Sequence, residues 1–246
     1  MSQPVLAQTM PDGSRKYLHP LTGEIVPSVT TVLKILNKPA LDGWAARVSA
    51  EYAFKNREQL VLFDEREFIA SVKNAHRTEA RNAADLGTQI HEICERWAKG
   101  NPGEIPKQAD PYINQFIGFL TDVKPEFVLT ECTFWNRTAG YAGTADAVIL
   151  VGKECWLIDY KTGKGIYPEH GLQLAALAFS EFQVDADGTE YEMPPIAKQA
   201  VIHLRPRSWK MIEMMKPAEC FAAFLACREL WQWQQYIAPE VLGAPL

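Results

Sequence analysis

Cysteine is sparse and scattered: five residues, Cys94, Cys132, Cys155, Cys220 and Cys227, with no CxxC pair among them. That spacing suggests neither a zinc ribbon nor an iron–sulfur cluster, and reduced thiols in a cytoplasm are the expectation. Long apolar runs are missing too. Nothing approaches the roughly 18–20 residues that span a bilayer, and the N-terminus has no signal-peptide pattern, so no membrane association is expected. Nor is there a cationic excess, since 25 Lys and Arg face 30 Asp and Glu for a net charge of −5. That balance argues against broad, non-specific nucleic-acid binding. Basic residues nevertheless group locally, as Lys73, His76, Arg77 and Arg81 and again as His203, Arg205, Arg207 and Lys210. Internal repeats and low-complexity tracts are absent. A Walker loop is excluded, because no Gly stands five positions before the Gly163-Lys164 pair. The zinc-protease helix is excluded as well: His91-Glu92-Ile93-Cys94-Glu95 has Glu where the second His is required.

What is present reads as an α/β chain long enough for one large domain or two small ones. Lys16 to Leu18 and Glu24 to Val26 flank a turn and predict a small hairpin, with Ser28 or Thr30 capping a short helix after it. Helices are predicted over about 41–55, 65–75, 78–99 and 111–123, the fourth preceding strands at about 127–135, 141–151 and 154–161. A helix over 169–182 follows, with Leu172, Ala175, Ala176 and Phe179 inward. Strands at 197–204 and 209–214 and a helix over 217–236 complete the chain. Within 78–99, Leu86, Ile90, Ile93 and Trp97 make the core stripe, and His91 and Glu95 share a flank one turn apart. The order of elements from 111 onward implies a mixed sheet flanked by helices.

The densest chemistry lies in Gly143-Thr144-Ala145-Asp146 and Ile158-Asp159-Tyr160-Lys161-Thr162-Gly163-Lys164. The apolar segments between them are joined by Gly152-Lys153, a two-residue turn led by Gly, which suits a type II′ hairpin. Centring the turn there puts Asp146 opposite Asp159, and strand alternation puts Lys161 on the face of Asp159. Two like charges so placed repel. With a cation beside them they read as a divalent-metal site with an attached base. The bland alternative is a surface hairpin with an ordinary Asp–Lys pair. Against it, both carboxylates interrupt or end otherwise buried strands, where unpaired charge is costly.

These two segments, with the helix opening Gln173-Leu174-Ala175-Ala176 and the upstream Gly87-Thr88-Gln89-Ile90-His91-Glu92-Ile93-Cys94-Glu95, resemble the successive motifs of the PD-(D/E)XK nuclease superfamily, nearest its RecB-type exonuclease branch. Pro27-Ser28-Val29-Thr30-Thr31 is similar to the opening of phage-encoded members. The resemblance implies a restriction-endonuclease-like core with an N-terminal helical elaboration, residues 1–80 forming the elaboration and 81–246 the core and C-terminal helix, packed as one unit. It implies that Asp146, Asp159, the backbone carbonyl of Tyr160 and His91 bind Mg²⁺ or Mn²⁺, and that Lys161 orients or deprotonates the attacking water. It also implies that Gln173 places the substrate strand. A Tyr frequent in the family four residues after that Gln is Leu177 here, a departure from the family's pattern on this helix.

Glu131, on the strand before Asp146, and Glu95 are further candidates, as metal ligands or as a partner to His91; each otherwise reads as a solvated charge. Thr162, Lys164, Arg205 and Arg207 are candidate substrate contacts, and solvated loop residues otherwise. The expected activity is metal-dependent hydrolysis of DNA phosphodiester bonds, from a strand end, in phage-type recombination, repair or replication. A structure-specific endonuclease and a non-catalytic DNA-end or protein-binding module are the alternatives. DNA is the expected partner, with a single-strand annealing or other recombination protein beside it; oligomeric state stays open.

Overall fold

The computed structural model describes residues 6–243. Turn chemistry shapes the start of the chain. Strands β1 (Ala7–Thr9), β2 (Arg15–Leu18) and β3 (Ile25–Pro27) form a three-stranded antiparallel sheet, with Tyr17 opposite both Ala7 and Val26. Gly13 and Gly23, in the connections, take φ of 75° and 72°, which a residue without Cβ adopts freely. Ser28 then caps α1 (Val29–Val32): its Oγ accepts from the Thr31 N–H at 3.0 Å, satisfying a donor with no partner inside the helix.

The chain divides into two compact units, Leu36–Thr88 and everything else. The smaller unit is helical: α2 (Pro39–Lys55), α3 (Arg57–Leu60) and the first part of α4 (Glu65–Ala98). Inside it Val48 and Leu60 are buried, and Trp44 meets the edge of His76. α4 is one continuous helix where two were expected. Thr78 does not cap a new helix, because its hydroxyl donates back to the Asn74 carbonyl in the preceding turn. The N-terminal strands, grouped by the sequence with the helical elaboration, belong instead to the larger unit. Their apolar side chains Leu6, Tyr17 and Val26 are buried with Trp135, Ala142 and Val184.

The larger unit adds α5 (Asp110–Val123), β4 (Glu126–Asn136), β5 (Tyr141–Val151), β6 (Glu154–Lys161), α6 (Glu169–Ala178), β7 (Phe182–Val184), β8 (Glu190–Glu192), β9 (Lys198–Arg205), β10 (Ser208–Glu213) and α7 (Pro217–Tyr236). The sheet order is β10-β9-β6-β5-β4-β7-β8, antiparallel throughout except for β6 beside β9. This is the mixed sheet that the element order implied. β6 and β9 are interior strands, and Cys155–Tyr160 and Gln199–Ile202 are buried without interruption, as strands covered on both faces must be.

Side-chain alternation shows which helix covers which face. Tyr160 meets Phe116 of α5 edge-on at 5.5 Å, while its neighbours Asp159 and Lys161 meet Gln173 of α6, so α5 and α6 lie on opposite faces. α5 also brings Phe119 against Trp209. On the α6 side, the Tyr141 hydroxyl donates to the Ala176 carbonyl and its ring packs on Phe224 of α7. Gly143 permits this closeness, since a Cβ there would stand 2.7 Å from Leu177 Cδ2. α6 ends at Ala178, four residues earlier than expected, because the chain turns to pair β7 with β4. Phe179, expected inward, is exposed and stacks on Phe221. Among the described residues no helix is long and apolar enough to cross a membrane.

Candidate functional site

Gly152 takes φ of 65° and Lys153 does not, the pattern of a type II′ turn, and the hairpin registers as Val151↔Glu154 through Ala147↔Ile158. One further step would set Asp146 against Asp159, the pair expected from the sequence. The ladder stops before that step. The Asp146 carboxylate instead accepts the Tyr160 N–H through Oδ2 at 2.6 Å, filling the fork in which β5 and β6 part. On the other side of β5 the strand is also irregular. Glu131 lies between the pairs Thr130↔Ala147 and Cys132↔Ala145, hence opposite Asp146, and has φ of 50°. A left-handed residue other than Gly in mid-strand is strained and marks a site held by its surroundings.

Charged and polar groups converge on this fork from four elements. His91 of α4 places Nδ1 3.2 Å from Asp146 Oδ1, its ring edge-on to Tyr160. Lys161 Nζ lies 2.5 Å from Asp159 Oδ2. Gln173 spans that pair, donating from Nε2 to Asp159 Oδ1 at 3.0 Å and accepting the Lys161 ammonium at Oε1 at 3.4 Å. Asp159 is 5% exposed, and its Oδ2 has no aligned hydrogen bond despite the nearby ammonium.

The protonation states follow from these contacts. Burial works against the imidazolium of His91, yet Asp146 and Asp159 hold its pKa above the usual value. Burial likewise works against ionised Asp146, but His91, Lys161 and the Tyr160 N–H bring it below the carboxylate range. Asp159 is pushed up by burial, opposed by Lys161 and reinforced by Asp146. Lys161, despite burial, is held above its usual value by Asp159 and Asp146. Among the chain's own charges it is therefore an ammonium. Glu131 is pushed up to about 7 by burial, then by Asp146 and Glu95. Glu95, bound to Lys99 on its own helix, thus lies near enough to Glu131 to raise it.

The remaining candidates separate. Arg205 is engaged through one nitrogen: Nη1 donates to the Thr162 carbonyl at 2.7 Å and the Gly163 carbonyl at 2.9 Å. His203, opposite Lys161 in the parallel β6–β9 register, contacts the same Gly163 carbonyl through Nε2 at 2.8 Å. Sequence reasoning noted His203 only within a basic group, and nothing local in the sequence signals this clamp on the loop after Lys161. Thr162 thus contributes its backbone to the clamp, while Lys164 and Arg207 are exposed. Leu177 packs over Gly143 and so belongs to the core.

No family model matches the chain, and no curated protein does. A solved structure titled "Crystal structure of SSO0001" aligns with 51% of this chain and 58% of that chain, at 18% identity and a TM-score of 0.32. The chain therefore spans little more than half of that neighbour's length, and so slight a likeness carries no argument about function.

Proposed function

We propose that this protein is a divalent-metal-dependent DNA nuclease with a PD-(D/E)XK-type core, acting from strand ends. The observation that supports the reading is the fork between β5 and β6, where Asp146, Asp159, Lys161, Gln173 and His91 meet through the contacts above. A purely structural hairpin has no need of one buried and one half-buried carboxylate flanking a single tyrosine backbone.

The donor set suits Mg²⁺ or Mn²⁺. Among the described residues no three His, Cys, Asp or Glu side chains are gathered to hold a metal by themselves. Mg²⁺ asks for less, binding through one or two carboxylates, several waters and substrate phosphate. The buried carboxylate of Asp159, with the half-buried one of Asp146 beside it, fits that demand. Asp146, Asp159, the Tyr160 carbonyl and His91 would hold the ion. When bound, it would lower the pKa of its water and polarise the scissile phosphate.

The chain's own groups then have separable roles. Lys161, protonated, presents positive charge where negative charge develops on a phosphate. Gln173 fixes the ammonium against Asp159, so neither side chain has to be reordered when substrate arrives. The Tyr160 N–H holds one Asp146 oxygen while His91 engages the other, which sets the carboxylate's plane. The clamp of Arg205 and His203 keeps the Thr162–Gly163 loop from relaxing around Lys161.

The test is digestion of end-labelled linear DNA and covalently closed circular DNA with Mg²⁺ or Mn²⁺. Linear DNA should be degraded and closed circles spared, EDTA should stop the reaction, and Asp159→Asn should abolish it. Cleavage by Asp159→Asn at the wild-type rate, or DNA binding without turnover in every metal, overturns the reading. Cleavage of closed circles would favour an endonuclease.

A further inference from the structure

One basic group is absorbed by nothing above. On α4, Arg66, Lys73, Arg77 and Arg81 are all exposed, and none of them is ion-paired with a described residue. Neighbouring arginines of the same unit behave differently: Arg47 pairs with Glu51, and Arg57 with Glu58. At 3.6 residues per turn the four cations occupy an arc of roughly 80°, while Glu65, Glu67, Glu79 and Asp85 all fall outside it. The helical unit carries as many acids as bases, so this is segregation of charge and not an excess.

Like charges four residues apart, as in Lys73–Arg77–Arg81, weaken a helix. A stripe that accepts this repulsion is best explained by an external polyanion. From Arg66 to Arg81 it runs about 22 Å at 1.5 Å per residue, comparable to six base pairs at roughly 3.4 Å each. Three of the four cations are arginines, whose planar fork matches phosphate oxygens. Asn74 lies at the stripe's edge and offers an amide donor of the kind that also contacts the backbone.

We propose that this face of α4 grips the phosphate backbone of DNA, a second contact surface on the helical unit, independent of the catalytic residues. The choice of DNA as the polyanion rests on the nuclease reading.

The test uses the full chain in EDTA with a labelled duplex longer than 30 base pairs, across about 50–300 mM salt. Each phosphate contact contributes about 0.9 to the slope of log K against log salt. The double variant Arg77→Gln/Arg81→Gln should flatten that slope by about two and weaken binding about tenfold at low salt. Its thermal midpoint should equal or slightly exceed that of the wild type, since both side chains are exposed and their repulsion is relieved. An unchanged slope and affinity overturn the proposal. So does a wild-type protein that binds no DNA, or a variant that loses binding only to vesicles rich in anionic lipid. The two readings fail separately. If the slope is unmoved while Asp159→Asn abolishes cleavage, the grip is wrong and the nuclease stands. If the slope falls but no metal gives cleavage, the grip stands and the nuclease does not.

Discussion

Replacing Lys161 by Met tests the central ion pair most directly. Side-chain exposures are 24% for Lys161 and 7% for Asp159, so the substitution strips a mostly buried carboxylate of its cation. Breaking a fully buried pair costs about 3–5 kcal/mol; with Lys161 partly hydrated, about 2–3 kcal/mol is expected at neutral pH. For a chain of this size that corresponds to a fall of about 4–12 °C in melting temperature. The deficit has a definite pH dependence. Burial already holds Asp159 above the carboxylate range, and Lys161 is the main opposing influence. Without Lys161 the folded pKa climbs further. A carboxylate with a raised folded pKa binds its proton more tightly when folded, so stability falls as pH rises from about 3.9 through the folded value. Lys161→Met should therefore be close to wild type near pH 4–5 and lag increasingly toward pH 8. Urea unfolding in EDTA at several pH values measures this. Adding Asp159→Asn should restore most of the loss, since the orphaned charge is then gone. A deficit equal at pH 5 and pH 8, or no deficit at all, refutes the reasoning.

Two further perturbations address the frame around that pair. His91→Gln should cost most below about pH 6.5 and progressively less as pH rises through the raised folded pKa of His91, because the attraction of the imidazolium to Asp146 is lost there in the wild type as well; urea titrations in EDTA at pH 6 and pH 8.5 compare the two. Gly143→Ala should destabilise by about 1–3 kcal/mol, since its methyl group would meet Leu177 Cδ2 at 2.7 Å and Val29 Cγ2 at 3.1 Å; a melting temperature equal to the wild type shows that α1 and α6 can move apart freely.

The fold was legible wherever a local signal decided the outcome. Gly152-Lys153 set the β5–β6 register and Ser28 the start of α1, because a turn or a cap is chosen by residues within a few positions. It was illegible where neighbours distant in sequence decide. Thr78 was ambiguous for a local reason instead, since its hydroxyl suits either a cap or a bond back to the Asn74 carbonyl and makes the second. β7 and β8 were missed: each is three residues long, and β7 exists because β4 offers it an edge. The N-terminal strands were assigned to the wrong neighbourhood because the surface that buries Tyr17 is supplied by Trp135 and Ala142, more than a hundred positions later.

The site divides in the same way. Asp146, Asp159 and Lys161 could be brought together from the sequence because a short hairpin links them, whereas His91 lies 55 positions from Asp146 and entered only through a resemblance of motifs. Arg205 shows the same limit: a sequence displays a guanidinium's charge but not the two carbonyls 42 and 43 positions away that engage its Nη1. The pairing expected between Asp146 and Asp159 is the most informative departure. Ideal pairing would have pressed two carboxylates together across the hairpin, a conflict between strand register and electrostatics. The chain resolves it by ending the ladder at Ala147↔Ile158, giving Asp146 to the Tyr160 N–H and His91, and leaving Asp159 with Lys161 and Gln173. Glu131, held at positive φ opposite Asp146, extends the irregularity into a third strand. Local rules that otherwise hold along these strands break at one point, and departures of that kind concentrate where a protein needs chemistry more than regularity.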